Sequence, residues 1–262
     1  MRFGCCVGSR EQIDILARAG FDFCELPAAS VMPFEDDHAA LGVLRALESA
    51  PLRPESFNVL VPAKLPLVGP HVDLVALASY LRTAFRRMAS LGAQIAVLGS
   101  GGARKIPDGF SREFAMTQMP DSVAVILDEA HRSGITLALE HLNRGETNTF
   151  NSVAESYDFL ATGQLAAKGM RILVDLFHLE VEHESLEVVT TAAPLIAHVH
   201  VAGGGRRAPD VAGYDYAGFM RALRKVGYNA RISAECSWEN LEAQAEGSLA
   251  YMRKCWEESE RE

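Results

Sequence analysis

Short apolar, β-branched or aromatic runs alternate along this chain with longer stretches whose apolar residues recur every three or four positions. Eight runs read as strands: Arg2–Val7, Asp22–Leu26, Glu55–Val61, Gln94–Gly99, Thr136–His141, Arg171–Phe177, Ala197–Ala202 and Arg231–Cys236. Helical spacing covers Glu11–Ala19, Ala39–Ser49, Val72–Leu91, Asp121–Ser133, Val153–Thr162, Ser185–Ala193, Tyr216–Val226 and Asn240–Trp256. Gly20, Gly92, Gly134 and Gly227 each follow an apolar face by one residue, where a helix C-cap favours glycine.

Several strands are apolar nearly throughout, the pattern of a parallel sheet covered by helices on both faces. Repeated β-then-α units predict an α/β fold, a single (β/α)8 TIM barrel domain over residues 1–262. The competing doubly wound open sheet calls for a phosphate-binding glycine fingerprint after its first strand, and Gly4 to Gly8 does not supply one. The length of 262 residues suits one barrel, and no linker or low-complexity tract divides the chain.

Composition narrows the function. The net charge is −9, and no Lys/Arg run exceeds the pairs Arg86-Arg87 and Arg206-Arg207, which argues against nucleic acid as a partner. With 48% hydrophobic and 23% charged residues the chain is an ordinary folded protein. The N-terminal residues lack a secretory pattern, and no apolar run is long enough for a membrane span, so a cytoplasmic location is expected. Five cysteines without C-x-x-C spacing read as reduced thiols.

In a barrel of this kind the reactive groups sit at the C-terminal ends of strands. Strands five to eight end in Glu140, Asp175, His200 and Glu235. Ionised carboxylates in apolar strands are costly unless paired, hydrogen-bonded or metal-bound. Structural ion pairs are one solution. Three carboxylates and one imidazole at equivalent positions favour another, a shared divalent cation, and oxygen-rich ligation suits Mn²⁺, Mg²⁺ or Co²⁺, with Zn²⁺ also compatible.

The run Leu139-Glu140-His141-Leu142-Asn143-Arg144-Gly145-Glu146-Thr147-Asn148, then Asp175-Leu176-Phe177-His178, His200-Val201-Ala202 and Glu235 resembles the xylose isomerase-like barrels. Within them it is most similar to the ketose 3-epimerase and hydroxypyruvate isomerase branch. The resemblance implies that Glu140, Asp175, His200 and Glu235 hold the metal, with manganese the first choice, and that Glu140 and Glu235 double as the acid/base pair. It also implies that Glu146, His178 and Arg206 contact substrate. The expected activity is metal-dependent isomerisation or epimerisation of a ketose or small hydroxy-carbonyl compound. Proton transfer would pass through a metal-stabilised enediolate. An inosose dehydratase-like lyase and a non-catalytic sugar- or metal-binding barrel are the alternatives. Endonuclease IV-type repair enzymes share the fold family, but most of their histidine ligands are missing here.

Other features bear on the substrate. The runs Gly99-Ser100-Gly101-Gly102 and Gly203-Gly204-Gly205 suit either a phosphate or flexible loops, and an unphosphorylated substrate is favoured. Cys5, Cys6 and Cys24 stand on the first strands, where related barrels often carry aromatic or polar pocket residues, and Cys5 and Cys24 with Cys236 read as small core residues. Phe177 and Trp238 suit a pocket wall or the core. His198 shares the parity of His200 and is expected to point inward as a satisfied core group, and His141 is a weaker site candidate. Apolar residues around Val59–Val68 suit a homo-oligomer contact or the core.

Overall fold

The structure, a computed structural model, describes residues 1–209 and 216–260; residues 210–215 and 261–262, which fall within the expected 1–262 domain, lie outside it. Eight parallel strands close into a barrel in sequence order: β1 (Arg2–Cys6), β2 (Phe23–Pro27), β3 (Pro54–Asn58), β4 (Ile95–Leu98), β5 (Thr136–Glu140), β6 (Arg171–Asp175), β7 (Ile196–Val201) and β8 (Arg231–Ala234). Closure comes from β1 pairing with β8, with Arg2 opposite Arg231 and Gly4 opposite Ser233. Each expected strand is present, shifted or shortened by a residue or a few at its ends.

The surrounding helices are α1 (Arg10–Ala19), α2 (Asp37–Glu48), α3 (Leu74–Ser90), α4 (Gly101–Arg104), α5 (Arg112–Ser133), α6 (Val153–Thr162), α7 (Leu176–Val181), α8 (Val188–Ala192), α9 (Tyr216–Lys225) and α10 (Leu241–Glu258). Local chemistry sets their ends. Ser9 and Gln12 form a reciprocal capping box on α1, and Gly20 ends it at φ 89°. Helix α5 starts nine residues before the expected Asp121, because the apolar face Ala115, Met119, Val123 and Ile126 runs straight past Pro120. The packing gained outweighs the single backbone donor that proline removes. Strand β6 stops two residues before the expected Phe177: the Asp175 carboxylate accepts the Phe177 N–H at 2.8 Å and starts α7, a short helix that the apolar pattern does not announce.

Most of the core lies between the barrel and its helices, and Cys5 and Cys24 are buried there, opposite one another in the β1–β2 register. No described pair of cysteines is disulfide-bonded. Leu60, Val61, Leu67 and Val68 also belong to this core, so the apolar stretch around Val59–Val68 leaves only Val59 substantially exposed among these large aliphatic residues. Among the described residues, no helix is long and apolar enough to cross a membrane.

Inside the barrel the packing is divided. Ile95, Val97, Ala138 and Leu173 form an apolar cluster on the side of β4, β5 and β6. On the opposite side the polar residues Glu25, Ser56, His198 and Ser233 are buried in the interior beside the ring of Phe23. The fully buried ring of Phe23 lies so close to Gly4 that a Cβ there would sit 2.3 Å from the ring. Gly4→Ala should therefore cost about 1–3 kcal/mol of stability by overpacking. The readout is a lower urea midpoint with an unchanged m-value, and an unchanged midpoint would show that Phe23 moves freely aside.

Candidate active site

Strand ends β5, β6 and β7 and the residue after β8 bring Glu140, Asp175, His200 and Glu235 together, each offering one ligand atom within 4.8 Å of the others. Nδ1 of His200 lies 3.2 Å from Oε1 of Glu140 and 3.7 Å from Oε2 of Glu235. Glu140, Asp175 and His200 are buried, and Glu235 is partly open. Gly99 reserves the space for Glu140: a Cβ on that residue would stand 2.1 Å from Oε2 of the carboxylate. Behind Glu140 the fully buried Arg104 donates to the carbonyls of Gly99 (2.6 Å), Thr149 (2.7 Å) and Glu140 itself (2.8 Å). This guanidinium ties together β4, β5 and the loop between β5 and α6, and burial drives it down to about 10.

That loop supplies Asn143 and Glu146. Glu146 accepts from Asn143 Nδ2 at 2.9 Å and from Arg206 at 3.1 Å. Arg206 reaches inward from the segment after β7 and donates to Glu235 Oε2 at 2.8 Å, with its guanidinium over the Phe177 ring at 4.7 Å. Its backbone is left-handed, at φ 59°, directly after Gly205 at φ 68°. A non-glycine residue held in that region needs compensating contacts, and these three interactions provide them.

His178 is buried on the first turn of α7. Its Nδ1 faces the Asn143 N–H at 3.1 Å, and its Nε2 lies 3.6 Å from Asp175 Oδ2 and 3.0 Å from the Arg206 guanidinium, so donors face both ring nitrogens. Burial and the Arg206 charge push His178 down to about 3, so it is a neutral imidazole facing the cluster. All seven site residues read from the sequence thus meet in one place. His141 instead accepts the Asp175 N–H at 3.1 Å, and His198 turns inward to Glu25 at 2.7 Å. Trp238 is partly buried against the core, and Phe177 forms a wall beneath Arg206.

The sequence reading did not single out Glu25, Asn58 or Arg104. Asn58 Nδ2 donates to Glu235 Oε1 at 3.4 Å. Glu25, fully buried on β2, touches both His198 and His200. A signal for Glu25 was present: an acidic residue between Cys24 and Leu26 in an otherwise apolar strand.

The first glycine run is explained by packing, and one amide of the second by its own loop. A Cβ on Gly101 would meet Leu142 at 3.0 Å, and one on Gly102 would meet Ala63 at 2.9 Å. Gly203 exchanges both backbone hydrogen bonds with Arg207, so its amide is already committed within the loop.

The electrostatics are divided. Burial and then the Glu235 charge raise Glu140, and the same two causes push Asp175 up to about 8. Burial opposes ionisation of Glu235 as well, but His200 and Arg206 hold it down at about 2. His200 is raised well above the usual imidazole range: burial works against its charge, and Glu25 and Glu235 more than offset this. Three carboxyl groups around one imidazole thus share one buried space, where crowding and burial hold two of them back from ionising. Its donor set of three oxygens and one nitrogen fits a divalent cation.

A comparison with known proteins agrees with this geometry. The sequence pattern of the xylose isomerase-like TIM barrel family matches residues 13–255. The chain is 26% identical to an L-ribulose 3-epimerase of Methylomonas sp. (strain DH-1), over 97% of this chain and 87% of that one. It is 31% identical to a D-psicose 3-epimerase of Agrobacterium fabrum over 42% of this chain, a match spanning 38% of that enzyme's length. The fold is that of the D-psicose 3-epimerase from Clostridium cellulolyticum H10, with a TM-score of 0.83, 19% identity, and 98% and 99% of the two chains covered.

The raised Asp175 sets a pH dependence for the metal-free protein. The folded chain keeps a proton that the unfolded chain releases near an ordinary Asp value of ~3.9, so this contribution is full below that pH and is lost as pH rises through about 8. In EDTA, the Tm of wild type should fall relative to Asp175→Asn as pH is raised across that window. Parallel melting profiles of the two proteins would rule out the raised value.

Proposed function

This chain belongs to the xylose isomerase-like TIM barrel family, and from that premise we propose that it is a sugar epimerase or isomerase acting by proton transfer beside a carbonyl. The observation that carries the reading is the cluster of Glu140, Asp175, His200 and Glu235, in which Glu140 is buried beside β4 and Glu235 is partly open and paired with Arg206, two carboxylates in different surroundings. Such a pair is the usual sign of an acid and a base with separate tasks.

Each residue then has a role. Glu235, ionised and steadied by Arg206 and Asn58, takes the proton from the carbon next to the substrate carbonyl. Glu140, whose protonated form is favoured by burial, delivers a proton from the other side of the carbon. Return to the opposite face of the same carbon inverts it, whereas delivery to the neighbouring carbon interconverts ketose and aldose. His178 meets a substrate hydroxyl through Nε2, and Arg206 and Glu146 hold the neighbouring hydroxyls. Glu140, Asp175, His200 and Glu235 would hold a divalent cation, with manganese the first choice, and the cation would supply Lewis-acid polarisation of the carbonyl.

The substrate that suits this site is an unphosphorylated ketose or a small hydroxy-carbonyl compound. A phosphate would enter a space with a surplus of carboxylates, and the glycine runs are committed to packing or to their own loop. One domain over residues 1–262 suffices for the reaction. The free cysteines suit a cytoplasmic enzyme.

The test is deuterium incorporation from D₂O, read by mass spectrometry, for free ketoses, hydroxypyruvate and inosose with Mn²⁺ or EDTA. Metal-dependent exchange beside the carbonyl of one compound supports the reading, and product analysis separates epimerisation, isomerisation and loss of water. Glu140→Gln and Glu235→Gln should each slow exchange roughly 10²–10⁴-fold, the usual worth of a positioned acid or base, while circular dichroism stays unchanged. Exchange at the wild-type rate in either variant would remove that residue from the mechanism.

A further inference from the structure

Glu25 is the one fully buried carboxylate of the described barrel that the proposed chemistry leaves without a task. It lies in the middle of the barrel, level with residues that on the other side are apolar. Four donors converge on it. His200 Nε2 is 2.9 Å from Oε1, and Oε2 receives His198 Nε2 at 2.7 Å, Ser56 Oγ at 2.6 Å and Ser233 Oγ at 2.7 Å. Hydrogen bonding of this density keeps a carboxylate ionised in the interior. It also fixes which hydrogen each partner presents.

For His200 the consequence is chemical. Its two ring nitrogens face two different sets of carboxylates: Nε2 faces Glu25, and Nδ1 faces Glu140 and Glu235. A cation bound here displaces one proton from the ring, which then has a single N–H, and only the bare nitrogen can ligate the metal. Without Glu25, the Nδ1 tautomer would be favoured, because Glu140 and Glu235 would be the remaining acceptors, and the proton would then occupy the ligand position. We propose that Glu25 is a positioning residue that keeps the His200 proton on Nε2 and so presents Nδ1 to the cation. This rests on the reading of Glu140, Asp175, His200 and Glu235 as the cation site.

The other oxygen, Oε2, is shared by three donors, His198, Ser56 and Ser233, so that loss of one hydroxyl still leaves two donors there and Oε1 facing His200. An amide at position 25 cannot serve all four donors. With its oxygen at the three-donor end, its NH₂ meets the His200 Nε2 and forces the proton onto Nδ1. Turned round, it opposes the three donors instead.

The experiment measures Mn²⁺ affinity by calorimetry on EDTA-stripped wild type, Glu25→Gln and Ser56→Ala, together with the Tm of each stripped protein. Glu25→Gln should weaken Mn²⁺ roughly 10–100-fold, the range found when the partner of a ligating histidine is lost. Ser56→Ala removes a hydrogen bond from the same carboxylate but not the one to His200, so it should lower Tm and leave the affinity near wild type. In the Zn²⁺-loaded protein, ¹⁵N shifts should show His200 ligated through Nδ1 and protonated at Nε2. If Glu25→Gln loses only Tm and binds Mn²⁺ as wild type does, Glu25 is a structural ion-pair partner and the proposal fails. Should Glu25→Gln not fold, ligation of wild-type His200 through Nε2 would overturn it equally. A wild type that binds no divalent cation would refute the reading of the cluster itself, an outcome distinct from either of these.

Discussion

The constraint on which this structure turns is the mutual repulsion of Glu140, Asp175 and Glu235 in a largely buried space. Gathering three carboxylates costs several kcal/mol unless positive charge meets them. The chain supplies part of that charge through His200 and Arg206. Much else follows from arranging those partners. Arg206 adopts a left-handed backbone to reach Glu235, Gly99 gives up a side chain to admit Glu140, and Arg104 is buried to hold the ends of two strands. Three carboxyl oxygens and one imidazole nitrogen set this close form a donor set that fits a divalent cation.

Much of this was legible in the sequence, because the barrel rule turns a linear pattern into a place. Once eight β-then-α units are recognised, the last residues of strands five to eight become neighbours, and Glu140, Asp175, His200 and Glu235 stand out as ionisable groups at the ends of apolar runs. The resemblance of the same runs to known barrels drew Glu146, His178 and Arg206 into the site. What escaped the reading was set by tertiary contact. Arg104 sits on a single turn of helix, and nothing in its neighbourhood predicts that three carbonyls will enclose it. Glu25 lies in the middle of β2, away from the strand ends to which the barrel rule points. The start of α5 was hidden by Pro120, since a proline reads locally as a boundary and only the buried face beyond it shows that the helix goes on.

The two halves of the barrel interior differ for a reason. Beneath the strands that carry Glu140 and Asp175, apolar side chains fill the space and keep the dielectric low, which raises both carboxylates. Beneath β7 and β8 a polar layer reaches across to β2 and β3 and supports His200 from below. Packing alone would be served by apolar residues throughout.

The closure of the barrel between β1 and β8 has a consequence for how the chain acquires its site during folding. His200 sits on β7 while Glu25 sits on β2, and Asn58 on β3 meets Glu235 just beyond β8. The contacts around the cluster therefore span 175 and 177 residues of chain. No half-barrel, and no nascent chain stopped before its eighth strand, can assemble them. Such long-range contacts form late, after the entropy of closing the intervening chain has been met. The four cluster residues come from the consecutive strand ends of β5 to β8, but their support from β2 and β3 is thus a product of the final closing step.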